Sequence, residues 1–309
     1  MYIELTRKVK LILVVLSLSL SICGGVLSFL VLSRYYPRAP GDRVVEFIGP
    51  FIPLITYKPL YYSATIAVIL GLLPLAIVHT LNSRYIRSME AITPSFMKSI
   101  SEAVRSGIPY IKAIEDTARR GFGALGDEIS GCLVRIALGE DFEKAMGVLS
   151  AKFKSSPIVS RAAAVIAALY GSGGDIVSAL DTSAQVLSDI VSFNEEKKTN
   201  MKPYLIIMYL AVILITALSF ILLEVFINTL IEMIGRAGML LTPRLSLDMV
   251  EAVFYYLAAI EAVLSGLIAG KIYEGRIIGG LIHVVVLLTI VLLSYTIVFP
   301  FVGELIKIP

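Results

Sequence analysis

The sequence predicts an all-α, polytopic membrane protein with five transmembrane helices and a cytosolic six-helix bundle inserted after the second helix. Three observations lead to this fold class. The 309-residue chain is 57% hydrophobic with a mean hydropathy of +0.85, which is too apolar for an ordinary soluble protein. Long uncharged apolar runs lie towards both ends of the chain. Between them lies a charged stretch whose apolar residues recur at helical spacing.

Each apolar run is long enough to cross a bilayer, because a helix needs about 20 residues to span about 30 Å of hydrocarbon. The fourth run is interrupted by Glu261, but apolar side chains surround that one charge, so we count it as a span. The chain thus divides into an N-terminal region 1–83 with spans at 11–32 and 59–82, a charged domain at 84–202, and a C-terminal region 203–309 with spans at 203–223, 252–270 and 277–302.

The orientation follows from the basic residues near the first span. Arg7, Lys8 and Lys10 precede it and favour a cytosolic N-terminus. Five spans then place the charged domain in the cytosol and the C-terminus outside. The length of the first run and the lack of a clear cleavage site favour a retained anchor over a secretory signal. We therefore expect a multi-pass protein of the cell membrane.

The charged domain repeats one short phrase three times. The phrase reads Gly, two residues, a bulky apolar residue, two residues, Ala and an apolar residue, and it begins at Gly107, Gly139 and Gly173. The three glycines are 32 and 34 positions apart. A period near 33 indicates a supersecondary unit that is used more than once. A tetratricopeptide array has a similar period, but its Trp and Leu-Gly signature is missing here.

Each phrase predicts a joint between two helices. Glycine takes the left-handed conformation that ends a helix, and a Pro or Asp two residues later starts the next one. Thr93 and Pro94 predict a further helix start within the domain by the same reasoning. The residues assigned to the joints are Gly107, Pro109, Gly139, Asp141, Phe142, Gly171, Gly173, Gly174 and Asp175.

The sequence contains no pattern that predicts catalysis. It lacks the Gly-x-x-x-x-Gly-Lys-Ser/Thr phosphate loop, and neither a Ser-His-Asp nor a Cys-His set is recoverable. His79 and His283 lie in two distant spans and do not predict a metal site, and Cys23 and Cys132 are interpreted as small buried hydrophobes. The net charge of +3 is too small to indicate nucleic acid as a partner. We expect a protein that is not an enzyme and has no cofactor.

Glu261 and His283 are the polar candidates inside the membrane. A carboxylate near mid-bilayer costs a few kcal/mol, so Glu261 is expected to face protein, water or a partner charge. Its functional interpretation is a contact with a helix of a partner, or an ion path. Its structural interpretation is a neutral or paired group within this chain, with His283 at a similar or shallower level.

The charged domain resembles the type II secretion system F family. The resemblance rests on an ordered set of turns: Ser101-Glu-Ala-Val-Arg-Ser-Gly-Ile-Pro109, then Asp127-Glu-Ile-Ser and Leu138-Gly-Glu-Asp-Phe142, then Tyr170-Gly-Ser-Gly-Gly-Asp-Ile176. It covers about 110 residues, and the flanking spans are similar to the family only in their arrangement. Family members are platform proteins of type IV pili, type II secretion systems, tight-adherence pili and the archaellum.

The resemblance implies a mechanical function and several partners. The cytosolic domain would dock on a hexameric secretion ATPase, and the spans would guide pilin subunits from the membrane into a filament. Longer platforms carry two such domains, whereas this chain carries one, so a dimer with itself or with a related short platform protein is expected. The spans are rich in Ile and Tyr and lack Trp, which favours an archaeal source.

Two charge clusters are candidates for the contact with the ATPase. They are the basic pair Arg119 and Arg120 and the acidic group Glu140, Asp141 and Glu143. Such clusters are also typical of a solvated face that binds nothing. Two other functions stay open on the sequence, namely an ion-coupled transporter that uses Glu261 and a membrane sensor whose helical domain docks a cytosolic regulator.

Overall fold

The computed structural model describes residues 7–37, 44–48, 52–171, 174–227 and 247–306. Within these ranges the protein is helical apart from one short hairpin. The elements are α1 (Arg7–Tyr35), β1 (Val45–Ile48), β2 (Ile52–Ile55), α2 (Lys58–Arg105), α3 (Tyr110–Arg119), α4 (Gly123–Ala137), α5 (Phe142–Lys152), α6 (Pro157–Leu169), α7 (Ile176–Phe220), a π-helix (Ile221–Ile227), α8 (Leu247–Glu274), a 3₁₀ turn (Ile277–Gly280), α9 (Leu281–Leu293), a second π-helix (Ser294–Val298) and α10 (Phe299–Ile306).

Across the residue ranges given above, five helical segments are long and apolar enough to cross a membrane, as the sequence predicts. Two of them run well beyond the expected spans, because α2 and α7 continue into the charged stretch. The segments are Lys8–Tyr35, Lys58–Arg105, Ile176–Glu224, Asp248–Glu274 and Ile277–Val302.

The chain forms two compact units. The helical unit comprises Leu81–Asn200, and the membrane unit comprises Ile3–Thr80 together with Met201–Pro309. The helical unit therefore contains the C-terminal part of α2, the helices α3 to α6 and the N-terminal part of α7.

The first two glycine joints have the same backbone geometry. Gly107 and Gly139 have φ angles of 86° and 95°, in the left-handed region that favours glycine. At the first joint the Gly107 N–H donates to Val104 O at 2.9 Å and the Ile108 N–H to Ala103 O at 3.2 Å. The Gly139 and Glu140 amides donate in the same pattern to Ile136 and Arg135. These bonds satisfy the last carbonyl groups of α2 and α4 and end both helices.

The third joint has its expected left-handed glycine at Gly173, which lies outside the described residues, so that prediction stays open. Gly171, which is also assigned to this joint, does not have a left-handed φ angle. The helix that follows begins as predicted. The Ser178 N–H donates to Asp175 Oδ1 at 3.1 Å, and this bond caps α7.

No helix starts at Thr93 and Pro94, where the sequence predicts one. Instead α2 continues from Lys58 to Arg105, and the Thr93 hydroxyl donates to Met89 O at 2.7 Å. A proline inside a helix costs about 3 kcal/mol. Here buried side chains, including those of Met89 and Phe96, lie on both sides of it, so their packing outweighs this cost.

The core of the helical unit is built from apolar side chains of all its helices. Met97 and Ile100 of α2, Ile114 of α3, Met146 of α5 and Ile166 of α6 are at most 1% exposed. Burying a side chain of this size contributes about 1.5–3 kcal/mol to the free energy of folding. These side chains form one hydrophobic core, which stabilises the short helices against one another.

In the membrane unit, α8 and the segment after it approach each other through glycines. A Cβ added at Gly266 would lie 2.6 Å from Val284 Cγ2, and one added at Gly280 would lie 2.5 Å from Gly266 O. A Cβ at Gly270 would overlap the backbone of Gly280. Small residues allow the backbones of membrane helices to approach closely. This matters because the hydrophobic effect does not drive helices together in lipid, so their association depends on van der Waals contact.

The Gly270→Ala substitution should force these two segments apart and lower stability by about 1–3 kcal/mol, the usual cost of overpacking. The measurement is the midpoint of thermal denaturation in detergent. Gly131→Ala is the control, because a Cβ at Gly131 meets nothing within 4 Å in α4. Equal midpoints for the two variants would contradict the close approach.

Cys132 should react slowly with maleimide in the folded protein. Its side chain is buried in α4, and burial raises the pKa of its thiol, so less of the reactive thiolate is present near neutral pH. Two variants with one cysteine each are compared. In the first, Cys23→Ser leaves Cys132 as the single thiol. In the second, both native cysteines are replaced and Leu138→Cys places a thiol just after α4, at a site that is 83% exposed. We expect a rate difference of about tenfold or more, which disappears in denaturing detergent.

Candidate functional site

The two ends of the helical unit differ in composition. Rings from three connections meet at one end, which we call the joint end. Phe142 at the start of α5 stacks on Tyr170 after α6, with ring centroids 4.5 Å apart, and Tyr110 at the start of α3 lies 6.3 Å from Phe142. The Tyr110 hydroxyl donates to Ile166 O at 2.9 Å. The repeated phrase therefore marks one end of the unit.

The other end, which we call the base, is where α2 enters the unit. There the hydroxyl of Tyr85 in α2 lies 3.3 Å from Glu128 Oε1 in α4. Lys152 at the end of α5 bonds the same carboxylate at 2.9 Å. Ser156 before α6 donates to Glu90 of α2 at 2.6 Å. Polar bonds link the helices at the base, and the joint end adds stacked aromatic rings.

The acidic candidates lie at the joint end, and each has a different environment. Glu140 makes a two-pronged ion pair with Arg135, at 2.6 and 3.0 Å. Asp141 caps α5, because its Oδ2 accepts the Lys144 N–H at 3.2 Å. Glu143 is exposed on the first turn of α5. Of the three, Glu143 is the carboxylate most open to a partner.

Two apolar side chains that the sequence did not single out share this surface. Leu138 at the end of α4 is 83% exposed, and Tyr170 is 48% exposed while its ring stacks on Phe142. Exposed leucine and tyrosine beside acidic groups make an amphipathic surface of the kind that protein partners bind. The position of Leu138 next to the second glycine was the signal that could have identified it.

The basic candidates lie elsewhere. Arg119 and Arg120 are at the C-terminal end of α3, and Arg119 pairs with Glu115 one turn earlier at 2.6 Å. Helix α4 separates this position from Glu140, and its 15 residues correspond to roughly 20 Å at 1.5 Å per residue. The structure therefore does not bring the basic and acidic clusters into one site.

Glu261 lies at the middle of α8 and is partly exposed. The Ser265 hydroxyl donates to Glu261 Oε1 at 2.8 Å, from one turn later on the same helix. No other contact to this carboxylate is recorded among the described residues. Neither an ion pair nor a hydrogen bond joins Glu261 to His283 in the described part of the chain.

Both histidines have partners within the membrane unit. His283 Nδ1 lies 2.8 Å from the Tyr209 hydroxyl, which links the last span to the third. His79 Nδ1 lies 3.8 Å from Glu274 Oε2. Within the described ranges, no group of three His, Cys, Asp or Glu side chains is placed to hold a metal ion.

An ion pair that the sequence did not identify joins the second and fourth spans. Lys58 Nζ lies 2.7 Å from Glu251 Oε2, and the Tyr62 hydroxyl lies 3.4 Å from the other carboxylate oxygen. Glu251 lies at the N-terminal end of its span, yet its side chain is only 18% exposed. Tyr61 and Tyr255 pack beside this pair with ring centroids 4.8 Å apart. Lys58 and Glu251 lie at the starts of the second and fourth spans, which the predicted orientation places on the same side of the membrane. This shared position was the sequence signal from which the pair could have been predicted.

Comparisons with known proteins agree with the architecture. Residues 96–223 match the family model described as Type II secretion system (T2SS), protein F. An uncharacterized protein of Methanocaldococcus jannaschii is 23% identical over 201 residues, which cover 65% of this chain and 32% of that relative. The chain thus matches about a third of the length of a longer protein. No solved structure matches the chain.

Removing one partner of the Lys58–Glu251 pair should destabilise the membrane unit. We expect Lys58→Met to cost about 2 kcal/mol, because it leaves a largely buried carboxylate without its cation. The double variant Lys58→Met/Glu251→Leu should recover part of this loss. The measurement is a double-mutant cycle on thermal midpoints in detergent, with the exposed Lys112→Met as a control that leaves the midpoint unchanged. Strictly additive single effects would contradict the coupling.

Proposed function

We propose that the chain, whose residues 96–223 match the family model of the type II secretion system protein F, is a platform protein for assembly of a filament of the type IV pilus kind. In this function the helical unit is a cytosolic six-helix bundle that docks a hexameric secretion ATPase. The membrane unit guides pilin subunits out of the bilayer. The chain itself hydrolyses nothing, and ATP is used by the partner.

The observation that carries this proposal is the extent of the family match. It begins within α2, takes in α3 to α6 and ends in the third span, so it includes the helical segments and the membrane segment that follows them. The five candidate spans support a multi-pass protein of the cytoplasmic membrane. The orientation with residues 84–202 in the cytosol and the C-terminus outside is part of the proposal.

We assign the ATPase contact to the joint end of the helical unit. Both long helices lead away from this end, since α2 ends there and α7 begins there. Arg105 of α2 pairs with Asp181 of α7 beside the first joint, so the two helix termini lie together. The joint end also combines exposed Leu138 and Tyr170 with the acidic side chain of Glu143. A basic surface with an apolar pocket is the chemistry that would bind it.

The proposal includes a second platform chain. The resemblance implies that two domains of this family act together, and this chain contributes one match at residues 96–223. A homodimer, or a heterodimer with a related short platform protein, would supply the pair. Co-purification of two differently tagged copies in mild detergent distinguishes the two arrangements.

The ATPase contact is tested by charge reversal at the two ends of the unit. We expect Glu143→Arg to weaken binding of the secretion ATPase by about tenfold or more, because it places a cation where the partner presents one. The matched variant Arg120→Glu, at the far end of α3, should leave binding unchanged. Binding is measured by co-purification of the tagged chain with the ATPase in mild detergent and by filament counts on cells.

The possible results distinguish an error in the position of the ATPase contact from an error in the proposed platform function. Loss of ATPase binding in Arg120→Glu but not in Glu143→Arg would move the docking surface to the α3 end and leave the platform function standing. If the wild-type chain recovered no ATPase, and if its deletion left filaments intact, the platform function itself would be wrong.

A further inference from the structure

The exposed face of α8 combines apolar side chains with one carboxylate. Leu257, Ile260, Leu264 and Ile268 are between 49% and 59% exposed, and they recur at spacings of three and four residues. Glu261 lies in the same stretch, halfway along the 28-residue helix. The opposite side of the helix, including Ala258, Ala262 and Ala269, is at most 1% exposed. Glu261 is half-buried and lies at the edge of this exposed row.

Lipid acyl chains can contact the apolar side chains of this face, but they cannot stabilise its carboxylate. The apolar side chains would be satisfied by acyl chains, but a carboxylate at mid-bilayer costs a few kcal/mol and is expected to find a partner. Ser265 supplies one hydroxyl at 2.8 Å, and this hydrogen bond leaves the charge of the carboxylate uncompensated. Glu251 and Glu274, by contrast, lie near the two ends of α8 and have a lysine and a histidine neighbour, respectively.

We propose that the outward face of α8, defined by Leu257, Ile260, Glu261, Leu264 and Ile268, binds a transmembrane helix of another protein that carries a cationic side chain at mid-span. The row of apolar residues fits the side of one helix, since contacts at intervals of three and four residues are how helices pack. The carboxylate then selects, among apolar helices, one that offers a positive charge at the same depth.

A second copy of this chain is a less suitable occupant. Copies in one membrane share an orientation, so a symmetric contact through this face would bring two Glu261 carboxylates to the same depth, where they repel. The described spans contain no lysine or arginine near the middle of their apolar segments that could compensate the charge. A different protein with a basic residue in its span has the required complementarity.

This inference rests on Glu261 and its neighbours and does not depend on the platform function. Its test uses the full-length chain in lipid nanodiscs and two synthetic transmembrane peptides of leucine and alanine. One peptide carries a single lysine at its centre and the other carries leucine there. Binding is measured by energy transfer from a fluorescent protein fused to the chain to a dye on the peptide.

We expect the lysine peptide to bind the wild-type chain about tenfold more tightly than the leucine peptide, which is the factor that about 1.4 kcal/mol of polar contact in a membrane provides. Glu261→Gln keeps the shape and removes the charge, so it should reduce this preference to about one. Glu274→Gln is the matched control on the same helix and should leave the preference unchanged. Leu264→Trp enlarges an outward side chain and should weaken binding of both peptides severalfold.

Three results would overturn the proposal. The first is equal binding of both peptides by the wild-type chain, a measurement that requires no variant to fold. The second is a preference for lysine that survives Glu261→Gln. The third is energy transfer between two labelled copies of the chain that is lost in Glu261→Gln, since it would assign the face to self-association.

Discussion

The helical unit depends on the left-handed backbone at Gly107 and Gly139. At each position the chain must reverse within three residues, and only a residue without a Cβ takes φ angles of 86° and 95° without strain. The reversal brings α3 back against the end of α2 and α5 back against the end of α4. The contact between the Tyr110 and Phe142 rings follows from this geometry. A Cβ at either glycine would meet nothing within 4 Å, so a side chain there would be disfavoured by the backbone conformation and not by a clash.

Features set by neighbouring residues were predictable from the sequence. The apolar runs gave the five spans, and the glycines with their following Pro or Asp gave the helix ends, because caps and turns are decided within about four residues. Asp141 and Asp175 cap α5 and α7 for this reason. Thr93 and Pro94 show the limit of such reasoning. Their local preference for a helix start was overridden by burial along α2, which depends on helices that are distant in sequence.

Pairs that are distant in sequence were not predictable in the same way. Lys58 and Glu251 are 193 positions apart, and no local pattern relates them. The contact of Gly266 and Gly270 with Gly280 also depends on how two spans cross, which a list of apolar runs does not contain. The sequence did single out Glu261 as an unusual residue, but only the packing of α8 shows that it lies at the edge of an exposed apolar face. The sequence thus identified Glu261 as a charged residue within an apolar run, and the packing of α8 shows which surface surrounds it.

The number of helical segments in the helical unit has a consequence for evolution. Among the residues that the structure describes, α2 to α7 contribute six segments, so the chain crosses the unit an even number of times. An even count returns the polypeptide to the side from which it came. Such a unit can be inserted between two spans, duplicated or deleted without reversing the direction of any later span. With an odd number of helices, the chain would need an extra connection along the length of the unit to return to that side, so we expect relatives to differ in this region by helix pairs.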